Sequence, residues 1–189
     1  VLNLTPKDPE ALQLLGTCFL ERKEFSAAKI CFQEIYKIHE NDVTCWLLGN
    51  VYKKMSDYRG AKRYLLKAAI LAKDDNPFLF EIFKTLGNIF VREGDWASAE
   101  ENYNKALRLM PESDVLQVNY GTLELQKTNI DLAKSHFREA IRLNSNNDHA
   151  WIGLALICYQ LGDFDLAWAN LENALDLNIN NRTAIQIYC

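Results

Sequence analysis

The chain has 189 residues, of which 49% are hydrophobic and 24% are charged, and its formal net charge at pH 7 is -4. This composition is typical of a globular protein and argues against intrinsic disorder. The acidic balance argues against nucleic acid as a partner, because affinity for a phosphate backbone comes largely from Lys and Arg. There is no run of about 18 apolar residues to cross a bilayer, and residues 1–6 do not resemble a signal peptide. We therefore expect a cytoplasmic protein without membrane insertion.

Cysteine and histidine give no sign of a metal or redox site. The five cysteines include no Cys-x-x-Cys pair, and the three histidines lie in separate parts of the chain. Gly-x-Ser-x-Gly, His-Glu-x-x-His and a glycine-rich phosphate loop are also missing from the sequence. We therefore expect structural thiols in a reducing compartment, no cofactor, no metal and no enzymatic activity.

Small residues recur along the chain at intervals near 34 residues. They are Gly16, Gly49, Gly87, Gly121 and Ala155. A period of this length is typical of stacked helix pairs, in which each pair needs a neighbour to cover its apolar face. A second set of small residues should allow close approach from the other helix of each pair. That set is Ala28, Ala61, Ala99, Ala133 and Ala167.

A short break divides each repeat into two helices. Gly94 and Gly162 can adopt the left-handed conformation that ends a helix. The residues that can then cap the exposed amides of the next helix are Asp57, Asp95, Asn129 and Asp163. A break this short predicts antiparallel helix pairs.

The best copy of the repeat runs from Leu86 to Pro111 and resembles the tetratricopeptide repeat (TPR). The residues that carry the resemblance are Leu86, Gly87, Phe90, Gly94, Trp96, Ala99, Tyr103, Ala106 and Pro111. Four further copies match with losses, so the resemblance covers essentially the whole chain. It implies an all-α fold, a right-handed superhelical solenoid of antiparallel helix pairs.

The repeat boundaries follow from this match and define a single TPR array. The five units span approximately residues 9–41, 42–75, 80–113, 114–147 and 148–181, with a linker at 76–79 and partial units at 1–8 and 182–189. The linker contains Asn76-Pro77, which predicts a cap followed by proline at the first position of a longer helix. That step of the array should therefore be irregular.

The TPR resemblance implies a concave groove lined by the first helix of each unit, which receives a peptide or a partner helix. The candidate groove residues are Trp46, Asn50, Lys53, Lys84, Asn88, Arg92, Asn119, His149 and Tyr159. For Trp46, a core position and a groove position are both open. We hypothesise that Lys84, Asn88, Arg92 and Asn119 form the centre of the binding site.

Chaperone-binding members of the TPR family use a clamp for two carboxylates, and this chain matches that clamp only in part. Lys84, Asn88 and Asn119 lie at matching positions, but His149 and Gly153 stand where the last two cations belong. The remaining amide side chains can still bond a peptide backbone regardless of its sequence.

The sequence therefore predicts a non-enzymatic scaffold or adaptor that binds a protein or peptide partner. Two alternatives remain open. In the first, the chain is a self-assembling module that forms homo-oligomers through its terminal helices. In the second, it is the substrate-recognition arm of a larger enzyme. Fold alone does not decide among these functions.

Overall fold

The computed structural model describes residues 8–181 and residue 186, and the regular structure of these residues is entirely α-helical. This confirms the predicted all-α class. The chain forms two compact units, unit 1 at residues 1–93 and unit 2 at residues 94–189. Apart from Asp8 and Gln186, the predicted partial repeats at 1–8 and 182–189 lie outside the described residues.

Each unit contains five of the described helices. In unit 1 they are α1 (Pro9–Glu21), α2 (Phe25–Ile38), α3 (Asp42–Lys54), α4 (Tyr58–Leu71) and α5 (Leu79–Glu93). In unit 2 they are α6 (Trp96–Leu109), α7 (Asp114–Gln126), α8 (Ile130–Leu143), α9 (Asp148–Gln160) and α10 (Phe164–Leu177). The helices that begin a repeat, called first helices below, are α1, α3 and α5 in unit 1 and α7 and α9 in unit 2.

A left-handed residue closes the first helix of each pair. Gly94 and Gly162 have φ of 77° and 81°, as predicted. Lys23, Ser56 and Thr128 take the same conformation, with φ between 60° and 63°. This repeated turn fixes the short connection between the two helices of a pair.

The predicted caps are mostly confirmed. The carboxylates of Asp57, Asp95 and Asp163 accept hydrogen bonds from backbone amides in the first turn of α4, α6 and α10. The prediction for Asn129 is wrong, because its side chain makes no capping bond. Its Nδ2 instead donates to Glu124 Oε2 at 2.7 Å.

The linker differs from the sequence prediction. Helix α5 begins at Leu79 rather than at Pro77, and it has 15 residues where α3 has 13. Residues 77 and 78 form a turn, within which Asn76 Oδ1 accepts a hydrogen bond from the Phe78 amide at 2.6 Å. The extra residues are therefore divided between this turn and a slightly longer helix.

Close helix approach is confirmed at Gly16, Gly49 and Gly121. A Cβ atom at Gly121 would lie 2.7 Å from the ring of Phe137. All five second-helix alanines of the repeat are buried, with exposed fractions of 0% to 4%. Cys31, Cys45 and Cys158 are also buried as expected, whereas Cys18 is exposed.

An aspartate at the start of a first helix binds the loop that follows the second helix of the same repeat. Asp114 Oδ2 accepts hydrogen bonds from Asn144 Nδ2 at 2.7 Å and from Asn147 Nδ2 at 2.9 Å. The same pair of bonds recurs one repeat later, on Asp148 Oδ2. Burial opposes ionisation of Asp114, but the amide hydrogen bonds outweigh it and lower the pKa of this carboxyl.

Candidate partner-binding surface on the first helices

Trp46 packs against the core of unit 1, which favours the core position over the groove position. Its ring stacks on Phe78 with a centroid distance of 3.9 Å and an interplanar angle of 19°. It is half-buried and contacts both hydrophobic clusters of the unit. Trp46 therefore joins α3 to the turn before α5.

The remaining unit 1 candidates define a polar surface, here called the α3–α5 face. It consists of Asn50 and Lys53 on α3 and Lys84, Asn88 and Arg92 on α5. Asn50 lines a cleft of about 400 Å³ that also includes Leu20, Phe25 and Lys54. Asn88 is exposed.

Two cations of α5 are held over aromatic rings. The Arg92 guanidinium lies 4.2 Å from the centroid of the Tyr58 ring. Lys84 Nζ lies 5.1 Å from the centroid of the Phe80 ring and forms an ion pair with Glu81 at 2.5 Å. Such contacts restrict long side chains that would otherwise be free to rotate. The two charges are therefore presented in defined positions.

Lys53 connects the two helices of the face. Its Nζ donates to the Thr85 hydroxyl at 3.5 Å, the outer limit of a hydrogen bond. Burial lowers the pKa of Lys53, although the charge of Glu81 partly opposes this. Sequence reasoning did not select Thr85, because a threonine on the buried side of a helix is normally a packing residue; it is 4% exposed.

The candidates of unit 2 differ in their surroundings. The Nδ2 atom of Asn119 on α7 is buried and has no hydrogen-bond partner among the described residues. On α9, His149 and Tyr159 are both exposed, Tyr159 to 58%. The centroid of the Tyr159 ring lies 5.6 Å from that of the Phe164 ring. Unit 2 thus offers one buried amide and one exposed aromatic side chain.

The modest net charge of the chain conceals a difference between the units. Unit 1 has 14 Lys and Arg against 12 Asp and Glu, whereas unit 2 has 7 against 13. The formal net charges are therefore +2 and -6.

The described residues contain no group of His, Cys, Asp and Glu side chains arranged to hold a metal ion. Among the same residues, no helix is long and apolar enough to span a membrane.

Two tetratricopeptide-repeat family models match the chain, over residues 42–112 and 118–181. A curated mouse relative, the BBSome complex member BBS4, is 30% identical over 125 residues. That alignment covers 65% of this chain but only 23% of the relative, so the chain spans less than a quarter of its length.

Solved structures share the fold at low sequence identity. One is YrrB, described as a TPR protein with an unusual peptide-binding site; it has a TM-score of 0.70 and 16% identity, over 96% of this chain and 92% of YrrB. Another is a chain of the APC/C hetero-tetramer Cut9–Hcn1, with a TM-score of 0.78 and 17% identity, over 96% of this chain and 36% of that one.

Proposed function

Because the chain belongs to the tetratricopeptide-repeat family, a family of protein-interaction scaffolds, we propose that it binds a protein partner through its first helices. In unit 1, a peptide segment of the partner lies along the α3–α5 face. The observation that carries this proposal is the placement of the Arg92 guanidinium over the Tyr58 ring and of the Lys84 ammonium over the Phe80 ring. Side chains held before binding lose less conformational entropy when the partner arrives.

Helix α5 packs in the core with one side and offers another side to the partner. Ile82, Leu86 and Ile89 are buried, with exposed fractions of 0% to 2%. Lys84, Asn88 and Arg92 recur every four residues and therefore share another side of the helix. Charged and amide groups there can bond the side chains and backbone of an extended peptide.

Unit 2 is proposed as a second contact region with a different character. Tyr159 is the anchor there, since an exposed aromatic side chain buries a large area on binding at little cost in entropy. Asn119 supplies an amide donor to a carbonyl oxygen of the partner once its side chain turns outward, because its buried Nδ2 has no hydrogen-bond partner among the described residues. His149 lies on the same first helix as Tyr159 and adds a polar contact.

A random peptide library displayed on phage tests the proposal for unit 1. Peptides selected on the whole chain are synthesised, and their affinities are measured by calorimetry. Arg92→Gln should weaken binding by about tenfold, because a charge-assisted hydrogen bond is lost. Arg59→Gln is the matched control, since Arg59 is an exposed arginine on the second helix α4 and should leave affinity unchanged.

The proposal fails if no peptide is selected, or if Arg59→Gln weakens binding as much as Arg92→Gln. The second result would show a general effect of positive charge and not a contact specific to the first helices. Circular dichroism melting of both variants separates lost binding from lost folding.

Self-association is a second candidate function, favoured by exposed apolar side chains around α10. Phe164 is 62% exposed, Trp168 is 44% exposed and Ile179 is 76% exposed. Sedimentation velocity across a concentration series tests it. A molecular mass that rises with concentration would support self-association, and a monomer throughout would rule it out.

A further inference from the structure

The ammonium group of Lys53 lies between α3 and α5 without a carboxylate partner. Lys53 is half-buried, and its one described hydrogen bond is the 3.5 Å contact with Thr85 Oγ1. Among the described residues, no Asp or Glu oxygen lies within ion-pair distance of its Nζ. An ammonium group removed from water normally needs such a partner to offset the cost of desolvation.

Other partly buried lysines of this chain have that partner. Lys62 pairs with Glu93 at 2.5 Å, and Lys67 pairs with Glu40 at 2.7 Å. Lys127 pairs with both Glu100 and Glu124. In these three cases the chain supplies a carboxylate to a partly buried lysine, which it does not do for Lys53.

The charged groups around Lys53 explain why it lacks a carboxylate partner. The charge of Glu81 favours the charged form of Lys53, but Glu81 forms its ion pair with Lys84, at 2.5 Å. Lys53 also experiences the positive charges of Lys54 and Lys84, which act against its own. Of the two half-buried ammonium groups, that of Lys84 has a carboxylate partner and that of Lys53 has none among the described residues, so the positive charge of Lys53 remains unbalanced.

We propose that Lys53, Lys84 and Thr85 form a binding site for a side-chain carboxylate of an acidic peptide segment. This inference rests on the proposed function, because the segment is the one that lies along the α3–α5 face. The Lys53 ammonium donates to the incoming carboxylate. Thr85, which is 4% exposed, accepts from the same ammonium and positions it.

The unbalanced charge at Lys53 favours an anion that carries a single negative charge. A single aspartate or glutamate neutralises the one unbalanced charge. A phosphate group carries more negative charge than the site lacks, and Glu81 therefore repels it more strongly than it repels a carboxylate. The site therefore discriminates an acidic residue from its neutral amide, and a carboxylate from a phosphate.

Two tripeptides that differ only in charge provide the probes. They are acetyl-Gly-Asp-Gly-amide and acetyl-Gly-Asn-Gly-amide, titrated into the whole chain while NMR follows the lysine ammonium signals. The aspartate peptide should bind about tenfold more tightly than the asparagine peptide. Its binding should also raise the pKa of Lys53, a response that a purely structural lysine would not give.

The adjacent lysine provides the matched control. Lys54 is exposed and lines the neighbouring cleft, so Lys54→Gln should keep the preference for aspartate. Lys53→Gln should abolish it, and Lys53→Arg, which retains the charge, should restore most of it.

Equal affinity for the two tripeptides would overturn the inference, as would loss of the preference in Lys54→Gln. If phage-selected peptides still bind the α3–α5 face but show no preference for carboxylates, the proposed function stands and this inference alone fails. If no peptide is selected, the proposed function itself fails.

Discussion

The ring of Phe137 fills the space that a side chain at Gly153 would need. A Cβ atom built at Gly153 overlaps this ring, and Gly121 approaches the same ring from α7. Gly153 matches a cation position of the two-carboxylate clamp, so the core of unit 2 excludes that cation. The partial clamp noted in the sequence therefore has a packing cause.

Gly153→Arg should accordingly destabilise the protein instead of completing the clamp. Displacing Phe137, which is 2% exposed, should cost about 2 kcal/mol or more in the free energy of unfolding. Urea unfolding followed by circular dichroism measures this cost. The other missing cation position is that of His149, which is exposed. His149→Lys should therefore change the free energy of unfolding by less than about 0.5 kcal/mol. Equal stability of the two variants would contradict the packing explanation.

The asparagine pair that binds Asp114 should contribute to stability in a pH-dependent way. Replacing both Asn144 and Asn147 by Ala should cost about 2 kcal/mol or more at neutral pH, because two hydrogen bonds to a charged acceptor are lost together with the Asn147 cap of α9. Only the part that comes from Asp114 depends on pH. The folded-state pKa of Asp114 is below its ordinary value of 3.8. The contribution is therefore complete above pH 3.8 and is lost as the pH falls through the folded-state pKa.

Urea unfolding at neutral and acidic pH checks this prediction. Asn146→Ala is the control, because Asn146 lies between the two asparagines and only its backbone amide makes a described hydrogen bond in this loop. A stability difference between wild type and the double variant that does not shrink at acidic pH would show that Asp114 is not the acceptor that matters.

Trp46 is predicted to support unit 1 chiefly through packing. Trp46→Ala should lower the free energy of unfolding by about 2 to 3 kcal/mol, since the stacked contact with Phe78 and part of the core contact are lost. Trp168→Ala removes a tryptophan that is 44% exposed and should cost under about 1 kcal/mol. Thermal melting of the two variants should reveal this order, and the reverse order would argue that Trp46 is a surface anchor.

The repeat spacing was sufficient to predict the helix pairs, because small residues and caps recur at fixed positions. It was not sufficient at Pro77, where the turn made by Asn76 and Phe78 delays the start of α5. Nor could it predict the unpaired charge of Lys53, since that depends on Glu81 bonding Lys84. The bonds to Asp114 and Asp148 did carry a signal, namely Asn-x-x-Asn following each aspartate by 30 and 33 residues.

The most direct test of the central claim is chemical-shift mapping of the whole chain with a phage-selected peptide. The backbone amide signals that change on binding should concentrate on α3 and α5 in unit 1, around Asn50, Lys53, Lys84, Asn88 and Arg92. Changes confined to the second helices α2 and α4 would contradict the assignment of the first helices as the partner-binding surface.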